Sequence, residues 1–271
     1  MILRILCIGD VVGSPGRAVL QKHINHIREK YQIDATIVNG ENAADGRGLT
    51  PRIMDYFKHL KVNVVTSGNH IWAKKDIVPY LESHNDLLRP ANFPAECPGV
   101  GVTLIDVKGH LIGVINVQGR VFMKEQSSCP FKTVESLLTY LRDKTKTIVV
   151  DFHAETTAEK ACLAYFLDGR VSALVGTHTH VQTADERVLP HGTAFITDLG
   201  MCGALNSSLG MKVDTIIQNF ITQMPTRFTV ETAGPILLSG VWIEVDTSTG
   251  KALKIERIRI IDEELHIDEK E

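Results

Sequence analysis

Val62-Asn63-Val64-Val65-Thr66-Ser67-Gly68-Asn69-His70 is the stretch on which the fold assignment turns. Its β-branched run, Val62 to Val65, predicts a short strand, and Gly68 is a residue that lets a backbone turn sharply. The turn sets the Asn69 amide and the His70 imidazole side by side at the strand's carboxyl end, where open α/β sheets bind ligands. Four other apolar runs stop in the same manner. Ile2 to Ile8 leads into Gly9-Asp10, and Ala35 to Val38 into Asn39-Gly40-Glu41-Asn42. Thr147 to Val150 leads into Asp151-Phe152-His153-Ala154-Glu155, and Val171 to Val175 into Gly176-Thr177-His178-Thr179-His180. Five strand ends, expected at one edge of a parallel sheet, thus finish on residue types that bind metal or phosphate.

The segments between them supply the rest of an α/β fold. Val19, Leu20, His23, Ile24 and Ile27 recur at helical spacing. Thr50-Pro51 is an N-cap and first-turn pair for a second helix. Trp72 to Leu88 reads as helical in part and is followed by a proline-punctuated loop, Arg89 to Pro94. Gly101 to Val107 and Leu111 to Val117, around Lys108-Gly109-His110, predict an antiparallel pair. Helices are expected over 136–142, 160–167 and, amphipathic, 212–224, with a strand from Thr193 to Asp198. Val241 to Val245 and Ala252 to Ile260 form a closing hairpin, and the acidic stretch from Asp262 is expected to fray. No repeat or linker interrupts the pattern. The expectation is a single domain over residues 1–271, with a small cap or loop excursion around 202–235.

Composition narrows the function classes. The chain has 271 residues, 44% hydrophobic and 23% charged, as in ordinary globular proteins. A net charge of −3 gives no global argument for nucleic-acid binding, and no stable nucleic-acid complex is expected. No apolar run approaches the ~20 residues that span a bilayer, and the N-terminus lacks the basic segment and cleavage site of a signal peptide. The cysteines at 7, 97, 129, 162 and 202 are odd in number, scattered and never spaced C-x-x-C. That argues against a disulfide framework and a zinc–thiolate site, so a reduced, cytoplasmic protein is the simplest reading.

The strand ends collect Asp10, Glu41, Asn42, Asn69, His70, His153, His178 and His180. Carboxylates, imidazoles and amide oxygens without thiolate suit Mn, Fe or Zn. Two acidic ligands and three or more imidazoles exceed what one four-coordinate ion needs, so two divalent ions per chain are expected, with Glu41 as the candidate bridge. If the strand continued through His178 and His180, both rings would project from one face. Two divalent ions against two carboxylates leave a net positive site, suited to a phosphodiester anion and to generating hydroxide at neutral pH. His70 is then free to protonate the leaving oxygen or to hydrogen-bond to the phosphoryl group.

These motifs also resemble a known family. Gly9-Asp10, Gly40-Glu41-Asn42, Gly68-Asn69-His70, the lone His153 and Gly176-Thr177-His178-Thr179-His180 are similar, in order and spacing, to the motifs of calcineurin-like metallophosphoesterases. Position 12 is Val12 where that family's first motif usually carries histidine, and Glu41 replaces its usual bridging aspartate. Both departures resemble the bacterial YmdB-like branch, as do Asn39 to Ala44, Arg89-Pro90-Ala91-Asn92 and Thr197-Asp198-Leu199-Gly200-Met201. The resemblance implies a four-layer αββα sandwich and a dinuclear iron- or manganese-dependent phosphodiesterase acting on cyclic nucleotides. It further implies that Asp10, Glu41, Asn42 and His180 hold one ion, that Glu41, Asn69, His153 and His178 hold the other, and that His70 donates a proton. Homo-oligomerisation is compatible with it.

Competing readings attach to the same residues. A strand-end Asp10 is by itself usually a turn former, and Asn42 or Asn69 can simply tolerate left-handed turns. The convergence of five ends outweighs these. Gly9 to Gly16 is not G-x-G-x-x-G, because Asp10 and Val11 replace the close-approach glycine. A noncatalytic nucleotide-sensing or scaffold protein on the same fold is the main alternative. Histidines 23, 26, 59, 84, 110, 191 and 266 read as surface or packing residues without partners. Substrate contacts are expected from loops 43–49, 89–93 and 202–211, with Arg47 or Arg89 pairing with phosphate.

Overall fold

The computed structural model describes residues 1–265 and Ile267, so the expectation for His266 and for the end of the acidic tail lies outside the described residues. In chain order the elements are β1 (Ile2–Ile8), β2 (Asp10–Val11), α1 (Gly13–Tyr31), β3 (Ala35–Asn39), α2 (Pro51–His59), β4 (Val64–Thr66) and α3 (Val78–Ser83). There follow β5 (Val102–Val107), β6 (His110–Gln118), α4 (Pro130–Leu141), β7 (Thr147–His153), α5 (Thr157–Leu167), β8 (Ala173–Thr177), β9 (Arg187–Val188) and β10 (Ala194–Ile196). The chain closes with β11 (Met201–Ala204), α6 (Val213–Thr222), β12 (Ile236–Asp246) and β13 (Lys251–Asp262).

These strands form two mixed sheets. The first runs β2-β11-β12-β1-β3-β4, with β13 on the other edge of β12, and the second runs β5-β6-β7-β8-β10-β9. β1, β3 and β4 are parallel, and so are β6, β7, β8 and β10. The five strand ends that carry the candidate residues therefore do not share one sheet. β1, β3 and β4 bring theirs from the first, and β7 and β8 bring theirs from the second. The long β12 runs antiparallel to β1 and pairs along its length with β13.

Side-chain alternation builds the four layers. Along β1, Leu3, Ile5 and Cys7 face the second sheet and pack with Ile112, Val114, Val149 and Val175. Leu6 and Ile8 face the other way, against Val19, Leu20, Ile24 of α1 and Phe57 of α2. On the far side, Val150, Phe152 and Leu174 pack on Leu138 of α4 and Leu163 and Leu167 of α5. Strands covered on both faces have no need of a polar face, which is why they read as unbroken apolar runs.

Local chemistry sets most boundaries. Thr50 accepts a hydrogen bond from Ile53 N at 3.3 Å, with Pro51 opening α2. Lys108 and Gly109, both at positive φ, make the two-residue turn between β5 and β6. α4 starts at Pro130, six residues before the expected Ser136, because proline fits the first helical turn. Within Trp72 to Leu88 the helical part is a 3₁₀ turn at Lys75–Ile77 leading into α3. β8 lies two residues later than expected, in register with β7 through Thr177.

Two expectations are corrected at the termini of elements. The stretch from Asp262 does not fray at its start: Asp262 pairs with Ile236 at the end of β13, and its buried carboxylate accepts from Lys22 and His23. His23 thus has a partner, as do His191, whose ring lies 3.0 Å from Asp168, His59, 2.7 Å from the Asp55 carbonyl, and His84, stacked on the Tyr80 ring. The expected amphipathic helix forms as α6, yet none of its residues is buried, and Ile217, Phe220 and Ile221 are exposed.

The interior predicts two measurable behaviours. A Cβ on Gly176 would lie 1.8 Å from the Thr197 carbonyl oxygen, so Gly176→Ala must push β8 and β10 apart. We expect it to lower unfolding free energy in urea by at least about 1–3 kcal/mol, the usual cost of overpacking. Burial pushes the Cys7 thiol up, and that of Cys202 up to about 12, whereas Cys162 is exposed. Alkylation followed by peptide mapping should label Cys162 first and Cys7 and Cys202 last.

Candidate metal centre

The site sits where the carboxyl ends of the two sheets meet. Glu41 Oε1 lies 3.2 Å from His153 Nε2, which in turn is 3.0 Å from both Asn69 Oδ1 and His178 Nδ1. Glu41, His153 and His178 place one ligand atom each within 4.8 Å of one another. Beside this group, His180 Nε2 is 3.6 Å from Asp10 Oδ1 and 3.1 Å from Asn42 Nδ2. Glu41 Oε1 also lies 3.4 Å from Asn42 Nδ2, between the two groups. All eight predicted side chains are therefore brought together. Asn42 turns its nitrogen, not its oxygen, towards Asp10 and His180, while its Oδ1 faces His70 Nδ1 at 2.8 Å. Coordination by Asn42 through oxygen requires the opposite amide orientation.

The two His-turn residues reach the site by a route that strand periodicity does not describe. β8 ends at Thr177, and His178 and His180 have φ of 102° and 64°. Left-handed backbone at a β-branched or ring-bearing residue is strained and survives only where neighbours hold it. Here His178 N donates to Asp10 Oδ2, Thr179 N donates to Asp198 Oδ2, and the Leu209 carbonyl meets His180 Nδ1. Asp198 is itself fixed by Lys160 Nζ at 2.7 Å, with both side chains fully buried. Stranding either charge would cost about 3–5 kcal/mol, so the pair is a rigid anchor.

A second set of groups orients the imidazoles. Asp151 accepts from Thr177 Oγ1 at 2.7 Å and from the Thr66 hydroxyl, and Asn39 Nδ2 approaches it at 3.3 Å. Because the Thr177 proton goes to Asp151, its lone pair accepts from His153 Nδ1 at 3.0 Å. This bond fixes a proton on Nδ1 and aims His153 Nε2 at Glu41, Asn69 and His178. Burial opposes a charged ring, but Glu41, then Asp10, raise the His153 pKa, so Nε2 carries a proton here that a bound cation would displace. His178 Nε2 faces Glu155 Oε2 at 3.1 Å, leaving its Nδ1 lone pair towards His153. Asp151, Thr177, Glu155, Lys160 and Asp198 were not among the sequence candidates. For Asp151 a signal existed: it precedes His153 by two residues on a strand and so shares its face.

Charge follows this arrangement. Burial opposes ionisation of Glu41, but His153 and His70 hold its carboxyl well below the usual range. Burial also opposes a charged His180, yet Asp10 and the Leu209 carbonyl raise it to about 9. Burial, then His153, push His178 down to about 3, so that imidazole is neutral. Lone pairs of oxygen and nitrogen converging at 3.0–3.2 Å repel unless a proton or cation lies among them. This donor set fits a hard or borderline divalent ion.

Gly68 serves a purpose other than turning the chain. It is not among the positive-φ glycines, but a Cβ there would lie 2.2 Å from the His153 ring. Val12 is buried against Gly210. Arg89 is corrected as a phosphate partner: it is buried and donates to the carbonyls of Pro90, Cys97 and Pro98. Loop 202–211 contributes the Leu209 carbonyl to His180. A cavity of about 400 Å³ opens from Asn69, His70 and His178, and of the expected substrate loops only 43–49, through Arg47, lines it. Its other walls come from Trp72 and Ala73 and from residues 122–125.

Known proteins share this architecture. The YmdB-like protein family profile matches residues 6–258. The chain is 48% identical over 266 residues to the 2′,3′-cyclic-nucleotide 2′-phosphodiesterase of Bacillus subtilis (strain 168), covering 98% of this chain and 100% of that one. A crystal structure of a novel phosphatase from Mycoplasma pneumoniae matches with a TM-score of 0.91 at 35% identity, over 97% of this chain and 95% of that one. A hypothetical protein from Thermus thermophilus matches with a TM-score of 0.89 at 37% identity, over 96% of this chain and 100% of that one. By family profile, sequence identity and two-sheet sandwich alike, this chain belongs to the YmdB-like family of the calcineurin-like metallophosphoesterase fold.

Proposed function

We propose that this chain is a metal-dependent phosphodiesterase that hydrolyses cyclic nucleotides, 2′,3′-cyclic monophosphates foremost and 3′,5′-cyclic monophosphates as the other candidates. The observation that carries the reading is the convergence of Glu41, Asn69, His153 and His178 ligand atoms beside the Asp10–Asn42–His180 group, with Asn69, His70 and His178 lining one cavity. The name of the Bacillus subtilis relative supports the substrate class. In this reading Asp10, Glu41, Asn42 and His180 hold one divalent ion and Glu41, Asn69, His153 and His178 the other, with iron or manganese favoured and zinc as the third candidate. Bound ions would supply a water acidic enough to attack at neutral pH and positive charge for the phosphoryl oxygens.

The chain's own residues do the remaining work. His70 N donates to Glu41 Oε2 at 3.1 Å, and its Nδ1 is occupied by Asn42. Nε2 is then the ring atom left for the cavity. With Asn42 turned so that its oxygen holds the ion, its Nδ2 would donate to His70 Nδ1, the ring proton would sit on Nε2, and Nε2 would give it to the departing ribose oxygen. The Lys160–Asp198 pair and Asp10 keep the His turn in place, and Asp151 through Thr177 keeps His153 in the tautomer that presents Nε2. Because these groups come from both sheets, we treat residues 1–271 as one functional domain. Cytoplasmic residence belongs to the same reading, on the five free cysteines. No helix among the described residues is long and apolar enough to cross a membrane.

Three outcomes test the proposal. Chelation should remove about two ions per chain and all diesterase turnover, with Mn²⁺ or Fe²⁺ restoring both. Two ions without turnover on any diester would favour the sensor reading, and no bound metal would refute the site. His70→Ala should reduce kcat on a cyclic nucleotide by about 10²–10⁴-fold, and far less on a p-nitrophenyl diester, whose leaving group needs no proton. Finally, His180 in the metal-free protein has its pKa raised from 6.5 to about 9. Its stabilisation is complete below pH 6.5 and lost as pH rises through about 9. The melting temperature in chelator should accordingly fall over that window, and metal binding should tighten as the proton leaves.

A further inference from the structure

The cavity over the candidate metal centre has an outer wall that the hydrolytic chemistry does not use. It belongs to the connection between β6 and α4, and this connection is built, not loose. At its start the amides of Arg120 and Val121 donate to the Glu159 carboxylate. At its end Asn92 Nδ2 donates to the Ser128 and Gln118 carbonyls, and Ser128 N donates to the Asn92 carbonyl. Between these anchors Phe122 stands 87% exposed at φ 60°, lining the cavity that also contains His70 and His178. Among the described residues no other ring and no cation is stacked on it.

The neighbours of Phe122 have the chemistry of a nucleotide's other parts. Arg47 and Lys124 line the same cavity, and neither has an ion-pair partner among the described residues. Glu125, also lining it, has a buried Oε2 with no hydrogen-bond partner. Trp72 also lines the cavity and is steadied by Phe93, with ring centroids 6.4 Å apart. A held, fully exposed ring suits a flat aromatic partner, since stacking on a nucleobase recovers the apolar contact that water denies it. The cations suit phosphate and the unpartnered carboxylate oxygen suits a hydroxyl or amine donor. At about 400 Å³ the cavity is in the range of small-ligand sites.

We propose that Phe122, carried on the 121–125 loop, is the base platform of this site: the nucleobase stacks on it while the cyclic phosphate lies at the His70 end and Glu125 accepts from the sugar or base. This inference rests on the phosphodiesterase reading for the phosphate end and adds the determinant that separates nucleotides from other cyclic phosphodiesters. Phe122 buries no core, so Phe122→Ala should fold.

The test compares a purine 2′,3′-cyclic monophosphate with methyl riboside 2,3-cyclic phosphate, the same reacting ring without a base. With metal-loaded protein, Phe122→Ala should raise KM for the nucleotide about tenfold, leave kcat within about twofold, and leave kcat/KM for the base-less ester unchanged. Phe122→Trp should restore the nucleotide KM. Equilibrium dialysis of adenosine 3′-phosphate should show the same loss of affinity in the alanine variant. An unchanged KM and unchanged affinity would overturn the platform, as would an equal loss on both esters. If the wild type turned over neither ester while Phe122→Ala still weakened nucleotide binding, the platform would stand and the catalytic reading would fall.

Discussion

The centre depends on one buried carboxylate. Asp151 sits between the two sheets and accepts from Thr66 on β4 and Thr177 on β8, with Asn39 of β3 alongside. An ionised group in that position is costly unless its lone pairs are filled, and burial lifts its pKa to about 6 even with the two hydroxyls opposing the shift. By filling those lone pairs, the sheets are tied together at the edge where the candidate ligand residues emerge. The same bonds set the Thr177 hydroxyl and hence the His153 tautomer. Packing of apolar inner faces supplies the bulk of the association between the sheets, but it is non-directional. The polar edge gives the direction.

The His178-Thr179-His180 turn shows how strain and electrostatics divide the work. Two left-handed residues in three would not be a stable local choice. They are held because the His178 and Thr179 amides each have a carboxylate to donate to, and because Asp198 is immobilised by a lysine that has no access to water. That arrangement lets two imidazoles from one turn serve two different groups, His178 beside His153 and His180 beside Asp10. A continued strand would have put them on one face, side by side and too regular for this division.

Much of the fold was legible from periodicity. Apolar runs located β1, β3, β4, β7 and both hairpins, and Thr50-Pro51 marked the start of α2. The site residues were legible as well, because each stands at the end of such a run. What misled was inference from local spacing to space. Gly68 looked like a turn residue and is required by the His153 ring. Arg89 looked like a free cation and is spent on three carbonyls of its own loop. Lys160 carried no signal, since a helical lysine usually faces water, and Asp198 stood out only as part of the Thr197 to Met201 stretch, with no role attached to it. Phe122 was equally silent, because nothing in its neighbours in sequence ties it to His70.

The sequence by itself determined which residue types stand at the strand ends and, through them, the family and the kind of ligand the centre can hold. Strand length and side-chain alternation are local properties, and the 2.0-residue period expresses them in any context. Only the tertiary structure decided that the five ends come from two sheets, that Asn42 faces Asp10 with its amide nitrogen, and that the cavity wall is residues 122–125 and not 89–93. Those outcomes depend on which strands pair and which buried charges find partners. Both are set by contacts between residues far apart in the chain, as between Asp10 and His178 or Lys160 and Asp198.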